Sequence, residues 1–204
     1  MHRPQRNDQI PVLDALRVLA EATNGDQIVV TNQGSSRLWP TLRRRELDFH
    51  FNPSTMGGAI PLGLGLALAQ PQRDVIVVSG EGSLLMSLGS LVSVVAARAT
   101  NLTIVLLDNG QYEVTGGQQT PATSVAVDYI AIARGAGFLS TARFNTLANW
   151  QSGVVSLLAA AGPRFAHLLV GPAPRELLKS GSPPLTEQIT ALQRALGVTG
   201  ITLG

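Results

Sequence analysis

The chain contains no cysteine, which excludes a disulfide framework, thiolate metal sites and a cysteine nucleophile. Lysine is almost absent as well: Lys179 stands alone beside fourteen arginines, and with 13 acidic residues the formal net charge is only +2. A Walker A phosphate loop is excluded, because Leu178 and not glycine precedes that lysine. So balanced a charge leaves no basic stripe for nucleic acid, and the single basic run, Arg43-Arg44-Arg45, is expected on a solvated helix face. No apolar run is long enough for a membrane span. The longest, Ala59 to Ala69, is broken by Pro61, Gly63 and Gly65 and falls short of the roughly 20 residues a spanning helix needs. The first ten residues are polar and basic without a secretory apolar core, so a cytoplasmic protein with no membrane or nucleic-acid partner is expected. Solenoid repeats and low-complexity segments are also lacking. With 45% apolar residues among 204, a single domain over residues 1–204 is expected.

Two periodicities alternate along the chain. Ile10, Leu13, Leu16, Val18 and Leu19 recur at helical spacing before Gly25. Ile28 to Thr31 is a short β-branched run, followed by the polar turn Asn32-Gln33-Gly34-Ser35-Ser36 and a helix through Leu42 and Arg45. Asp74 to Ser79, Leu102 to Leu107 and Phe165 to Val170 are apolar runs without strict alternation, as in strands buried on both faces. Helices are expected at Met56 to Ala69, Ser83 to Ala99, Val127 to Arg134, Asn145 to Ala161 and Thr186 to Leu196. Strands separated by helices imply an α/β fold: a doubly wound parallel sheet with helices on both faces.

Ligands of such sheets bind beyond the carboxyl ends of the strands. Three turns stand there: Asn32 to Arg37, Gly80-Glu81-Gly82-Ser83, and Asp108-Asn109-Gly110-Gln111-Tyr112. A dinucleotide fingerprint fails, since Leu85 occupies the sixth position from Gly80 and Leu68 the sixth from Gly63. Gly80-Glu81-Gly82 instead holds a carboxylate between two residues that allow close backbone approach at a helix start. Asn109 follows Glu81 by 28 residues, at the end of the next strand, and adjacent strand ends lie about 5 Å apart. Two readings stand on the residues alone. Glu81 and Asn109 share a divalent cation that bridges to a diphosphate, or Glu81 caps a helix and Asn109-Gly110 is a turn.

These segments resemble a known signature. Gly80-Glu81-Gly82-Ser83, followed by Asn109-Gly110-Gln111-Tyr112-Glu113-Val114-Thr115-Gly116-Gly117-Gln118-Gln119-Thr120, with Thr55-Met56-Gly57-Gly58 upstream, is similar to the diphosphate-binding domain of thiamine diphosphate enzymes. Within that family the second loop is similar to that of sulfopyruvate and phosphonopyruvate decarboxylases. The resemblance implies thiamine diphosphate and Mg²⁺ as cofactors. Metal ligands would be Glu81, the Asn109 side chain and the Gln111 main-chain oxygen. Gly80, Gly82, Ser83 and Tyr112 would border the diphosphate, with Gly34, Ser35 and Ser36 on its other side, and Met56 would wedge between the cofactor rings. The family usually has aspartate where Glu81 stands, one methylene shorter, so a retracted loop, a larger ion such as Mn²⁺ or Ca²⁺, or weakened metal binding is implied here.

The implied activity is decarboxylation of a small anionic 2-oxoacid. Carboligation of the acetolactate synthase type and a non-catalytic cofactor-binding or regulatory subunit are the alternatives. Enzymes of this family bind the cofactor between two similar domains, and the other domain supplies a catalytic glutamate. The motifs of only one occur here, so the chain is expected to resemble the β subunit of sulfopyruvate decarboxylase and to work in a hetero-oligomer with a separately encoded, pyrimidine-side α-type chain. An apolar patch near the Met56 and Gln118 segments would then be left exposed. Among other residues, His50 is expected to be structural or at the surface, His167 structural within a strand, and Trp39 and Trp150 core or interface anchors. Glu113 and the Thr115 to Gln118 loop stand evenly between a ligand contact and an ordinary glycine-rich lid.

Overall fold

The runs of Val, Ile and Leu become strands because both of their faces find an apolar partner. In the computed structural model, which describes residues 9–198 apart from 24, 126 and 180, β1 (Ile28–Asn32), β2 (Asp48–Phe51), β3 (Val75–Gly80), β4 (Leu102–Asp108), β7 (Ser140–Phe144) and β8 (Arg164–Leu169) form one parallel sheet in the order β2-β1-β3-β4-β8-β7. Two further strands, β5 (Gln111–Tyr112) and β6 (Gln118–Gln119), pair antiparallel as a small hairpin beyond β4. The helices are α1 (Val12–Ala22), α2 (Gln33–Leu42), α3 (Ala59–Ala69), α4 (Glu81–Leu85), α5 (Gly89–Ala96), α6 (Pro121–Val125), α7 (Tyr129–Ala136), α8 (Leu147–Ala159) and α9 (Leu185–Ala195).

Successive side chains of a strand point to opposite faces, and the two cores show this. Val75 and Val77 join Ile28, Val30, Ile104 and Phe165 under α3, α5, α7 and α9. Ile76 and Val78 join Val29, Val105, Ala166 and Leu168 under α1, α2 and α8. Both layers are apolar, which is why the strand sequences lack the alternation of a half-exposed sheet. Among the described residues no helix is long and apolar enough to cross a membrane.

Three expectations need correction. The expected turn at Asn32 to Ser36 is the first turn of α2, which starts directly from β1. The helix expected over Ser83 to Ala99 is two helices, α4 and α5, broken where the Ser87 hydroxyl donates to the Gly57 carbonyl at 2.9 Å. The arginine run lies beyond the end of α2 and is no solvated face. Arg43 and Arg45 clamp the buried Asp48 carboxylate at 3.3 and 2.8 Å, while Arg44 alone is exposed. That clamp sits at the start of β2, a strand the sequence reading did not anticipate. β2 is an edge strand, and Gln188 of α9 covers it: the His50 amide donates to Gln188 Oε1 at 2.6 Å, and Gln188 Nε2 donates to the His50 carbonyl at 3.1 Å. A side-chain amide thus occupies the place of a neighbouring strand.

Candidate functional site

From β1 the chain moves outward to β2, and from β3 it moves the opposite way to β4. The carboxyl ends of β1 and β3 therefore border the crevice that such a reversal opens. A cleft of about 620 Å³, its open mouth included, lies there. Gly34 and Ser35 from α2, Met56 from the loop before α3, Gly80, Glu81, Gly82 and Ser83 at the β3–α4 junction, and Asn109, Gln111 and Tyr112 after β4 all line it. These are the predicted site residues with one exception. Ser36 is fully buried away from the cleft, and its hydroxyl donates to the Gln33 carbonyl at 2.7 Å. The polar side chain of that turn is consumed by the turn itself, a common fate of serine in a first helical turn.

Glu81 is a buried carboxylate, 1% exposed, and its Oε1 accepts a hydrogen bond from Thr120 at 3.2 Å. The register pairs Gly80 with Leu107, so Glu81 and Asn109 leave neighbouring strand ends. Asn109 Oδ1 accepts from the Gln111 amide at 2.9 Å, which turns the loop and keeps one of the two carbonyl lone pairs for another partner. Among the described residues no three His, Cys, Asp or Glu side chains gather as a metal cluster. A cation held between Glu81 and Asn109 would meet one carboxylate and neutral oxygens, a hard set of the kind Mg²⁺ takes when a phosphate completes it.

Gly82 has no room for a side chain: a Cβ there would lie 2.7 and 2.8 Å from Tyr112 Cε1 and Cδ1. The Tyr112 ring therefore rests on the backbone at the start of α4. Ser83 Oγ receives two donors, Asn32 Nδ2 at 3.0 Å and the Gly57 amide at 2.9 Å. A hydroxyl accepts through two lone pairs and donates one proton. With both acceptor positions taken, the Ser83 proton remains for an acceptor. Met56 is half-buried in the wall of the cleft rather than packed in the core.

Two residues outside the predicted set belong to the site. Asn32, 1% exposed, lines the cleft, and its side chain closes a capping box with Ser35 at the start of α2. Its bond to Ser83 spans 51 residues, a relation no local spacing reveals. Glu113 also lines the cleft and accepts from the Ala173 amide at 2.5 Å. Its carboxylate leaves so little space that a Cβ on Gly34 would stand 3.0 Å from it. Burial pushes the Glu113 carboxyl above its ordinary value, opposed by hydrogen bonds from Ala173 and the Asn109 side chain. Gln33, at the mouth of α2, has φ of +52°, a conformation disfavoured for residues other than glycine that tends to occur where a site demands it.

The remaining candidates lie elsewhere. His50 is 3% exposed and bonds Thr31 Oγ1 through Nδ1 at 2.9 Å; burial pushes its ring down to about 4. His167 meets Asp108 at 3.0 Å inside the sheet. Trp39 and Trp150 are fully buried. Arg37 donates to the Leu178 carbonyl at 2.6 Å and does not line the cleft.

Residues 31–168 match the family model described as "Thiamine pyrophosphate enzyme, C-terminal TPP binding domain". The chain is 39% identical over 186 residues to a phosphonopyruvate decarboxylase of Streptomyces viridochromogenes, covering 90% of this chain and 45% of that protein. It is 43% identical over 148 residues to the sulfopyruvate decarboxylase subunit beta of Methanothermobacter thermautotrophicus, covering 72% of this chain and 75% of that subunit. The chain thus spans less than half of the phosphonopyruvate decarboxylase it matches and most of the β subunit. The crystal structure of benzoylformate decarboxylase from Polynucleobacter necessarius superposes with a TM-score of 0.70 at 19% identity, over 84% of this chain and 35% of that one, a likeness of fold.

Proposed function

The chain belongs to the thiamine pyrophosphate enzymes and carries their C-terminal TPP binding domain, and on that premise we propose that it is the diphosphate-side subunit of a 2-oxoacid decarboxylase acting on a sulfopyruvate- or phosphonopyruvate-like substrate. The observation that carries this reading is the convergence of Glu81, Asn109, Gln111 and Ser83 on one cleft at the β1/β3 crevice. The cleft suits thiamine diphosphate and a divalent ion on three counts. Ser83, whose hydroxyl has both acceptor positions filled, offers a proton to an anion. The cleft's buried Asn32 side-chain amide holds that hydroxyl in place. Its hard oxygens match Mg²⁺.

When bound, thiamine diphosphate supplies the nucleophilic carbon and the electron sink for loss of carbon dioxide from a 2-oxoacid. The chain's own residues bind and orient. Glu81, the Asn109 side chain and the Gln111 carbonyl would hold the metal; Gly34, Ser35, Gly80, Gly82 and Ser83 would surround the diphosphate. Tyr112, seated on Gly82, lines the cleft next to the residues that would hold the metal, and Met56, in the same lining, would support the cofactor rings. A separately encoded α-type chain would complete the site and contribute the catalytic acid, giving a hetero-oligomer. Exposed Met86, packed near Gly57, and Val114, in the turn before Gln118, at 56% and 38%, support such a covered surface.

Calorimetric titration with thiamine diphosphate, with and without Mg²⁺, tests the binding half of the proposal. Metal-dependent affinity that Asn109→Leu weakens is the expected result, and unchanged affinity in that variant would reassign the metal site. Assaying 2-oxoacids for aldehyde, with and without the companion chain, tests the reaction. Coupled hydroxy-oxoacid products in place of aldehyde would favour carboligation, and robust turnover by this polypeptide alone would end the split-enzyme reading.

A further inference from the structure

We infer, on the reading that Glu81 and Asn109 hold the cofactor's metal, that Thr120 is a positioning residue which fixes the Glu81 carboxylate relative to the Asn109 loop. A glutamate reaches its carboxylate through three rotatable side-chain bonds, whereas a divalent ion requires that carboxylate in one place; fixing so many rotors carries an entropy cost unless something holds them beforehand. Thr120 is in position to do this. It is 2% exposed, its amide donates to the Gly110 carbonyl at 3.0 Å, and its hydroxyl donates to Glu81 Oε1 at 3.2 Å. One residue is thus tied by its backbone to the loop of one metal ligand and by its side chain to the other ligand.

Counting protons shows where the Thr120 hydroxyl hydrogen goes. Thr123 Oγ1 lies 3.3 Å from Thr120 Oγ1, long for a bond between hydroxyls, and its own proton is directed to the Gly110 carbonyl at 2.9 Å. The Thr120 proton is therefore the one in contention, and on the premise that Glu81 ligates a cation it is a carboxylate, a stronger acceptor than a neutral hydroxyl. Because a carboxylate oxygen has more than one lone pair, this bond is compatible with Glu81 also ligating a metal. The arrangement depends on the length of the side chain: an aspartate at 81 would carry its carboxylate one methylene short of Thr120.

The test is a double-mutant cycle on the full chain, in the assembly in which it is purified, with Mn²⁺ and thiamine diphosphate as probes. Calorimetry at several Mn²⁺ concentrations and the electron paramagnetic resonance spectrum of bound Mn²⁺ are the readouts. Thr120→Val should weaken Mn²⁺-dependent cofactor binding about tenfold, the loss of one charge-assisted hydrogen bond, and alter the Mn²⁺ spectrum. Thr120→Ser should restore both to within about threefold. In a Glu81→Asp background, Thr120→Val should change binding less than about twofold. Equal losses in the two backgrounds, or wild-type Mn²⁺ dependence in Thr120→Val, would overturn the inference. If Thr120→Val melts markedly lower without ligands, Thr120→Ala carries the same comparison. Glu81→Ala separates this inference from its premise: unchanged metal dependence there would remove the metal site itself, whereas lost dependence with an indifferent Thr120 would remove only the positioning role.

Discussion

Replacing His50 with asparagine should change how stability depends on pH while leaving the cofactor cleft untouched. The ring is 3% exposed and bonded to Thr31 Oγ1. Burial pushes it from the ordinary 6.5 down to about 4, with Asp48 opposing and Arg44 reinforcing the shift. In the unfolded chain His50 takes up a proton near pH 6.5, whereas in the folded protein it resists until about pH 4. The neutral ring's contribution is complete above pH 6.5 and is lost as pH falls through that interval. A depression of that size corresponds to about 3 kcal/mol. Asparagine can still accept from Thr31 but does not titrate. Urea unfolding followed by the fluorescence of Trp39 and Trp150, both fully buried, should give a wild-type protein that loses about 3 kcal/mol more than His50→Asn between pH 7 and pH 4. Carboxylates common to both proteins cancel in the difference. Profiles that stay parallel over the whole range would show that the folded protein accepts the His50 proton readily, and the burial argument would fail.

Gly82→Ala sets a Cβ into the Tyr112 ring; it should cost about 1 to 3 kcal/mol of stability and weaken thiamine diphosphate binding at least tenfold by calorimetry, and wild-type affinity would show that Tyr112 moves aside freely. Met56→Ala should cost only about 1 kcal/mol, below the range for fully buried methionine, since Met56 is half-buried. It should slow cofactor C2 proton exchange, followed by NMR in the reconstituted enzyme, more than it weakens binding; a change in melting temperature alone would return Met56 to a packing role. Asp48→Asn leaves Arg43 and Arg45 without their carboxylate and should destabilise the fold by about 3 kcal/mol in urea titrations, with a negligible change contradicting the clamp.

The sequence by itself determined the layers and which residue types line the candidate site. Apolar runs such as Val75 to Val78 are legible because burial on both faces of a sheet demands an apolar side chain at every position. Glu81 and Asn109 are legible because the strand ends that carry them are neighbours in a parallel sheet, so spacing along the chain stands in for spacing in the fold. Tertiary structure alone decided the rest. β2 and β7 escaped notice because Asp48, His50, Arg143 and other polar residues within them are satisfied by distant partners: Arg43 and Arg45 for Asp48, Thr31 for His50, Asp128 for Arg143. The break between α4 and α5 follows from Ser87 reaching Gly57. The resemblance implied a ligand contact for Ser36, but its bond to Gln33 is a matter of helix geometry. Asn32 and Thr120 acquire their places through hydrogen bonds spanning 51 and 39 residues. Such bonds leave no periodic trace in the sequence, because a hydrogen bond depends on where two atoms meet and not on how far apart they lie along the chain.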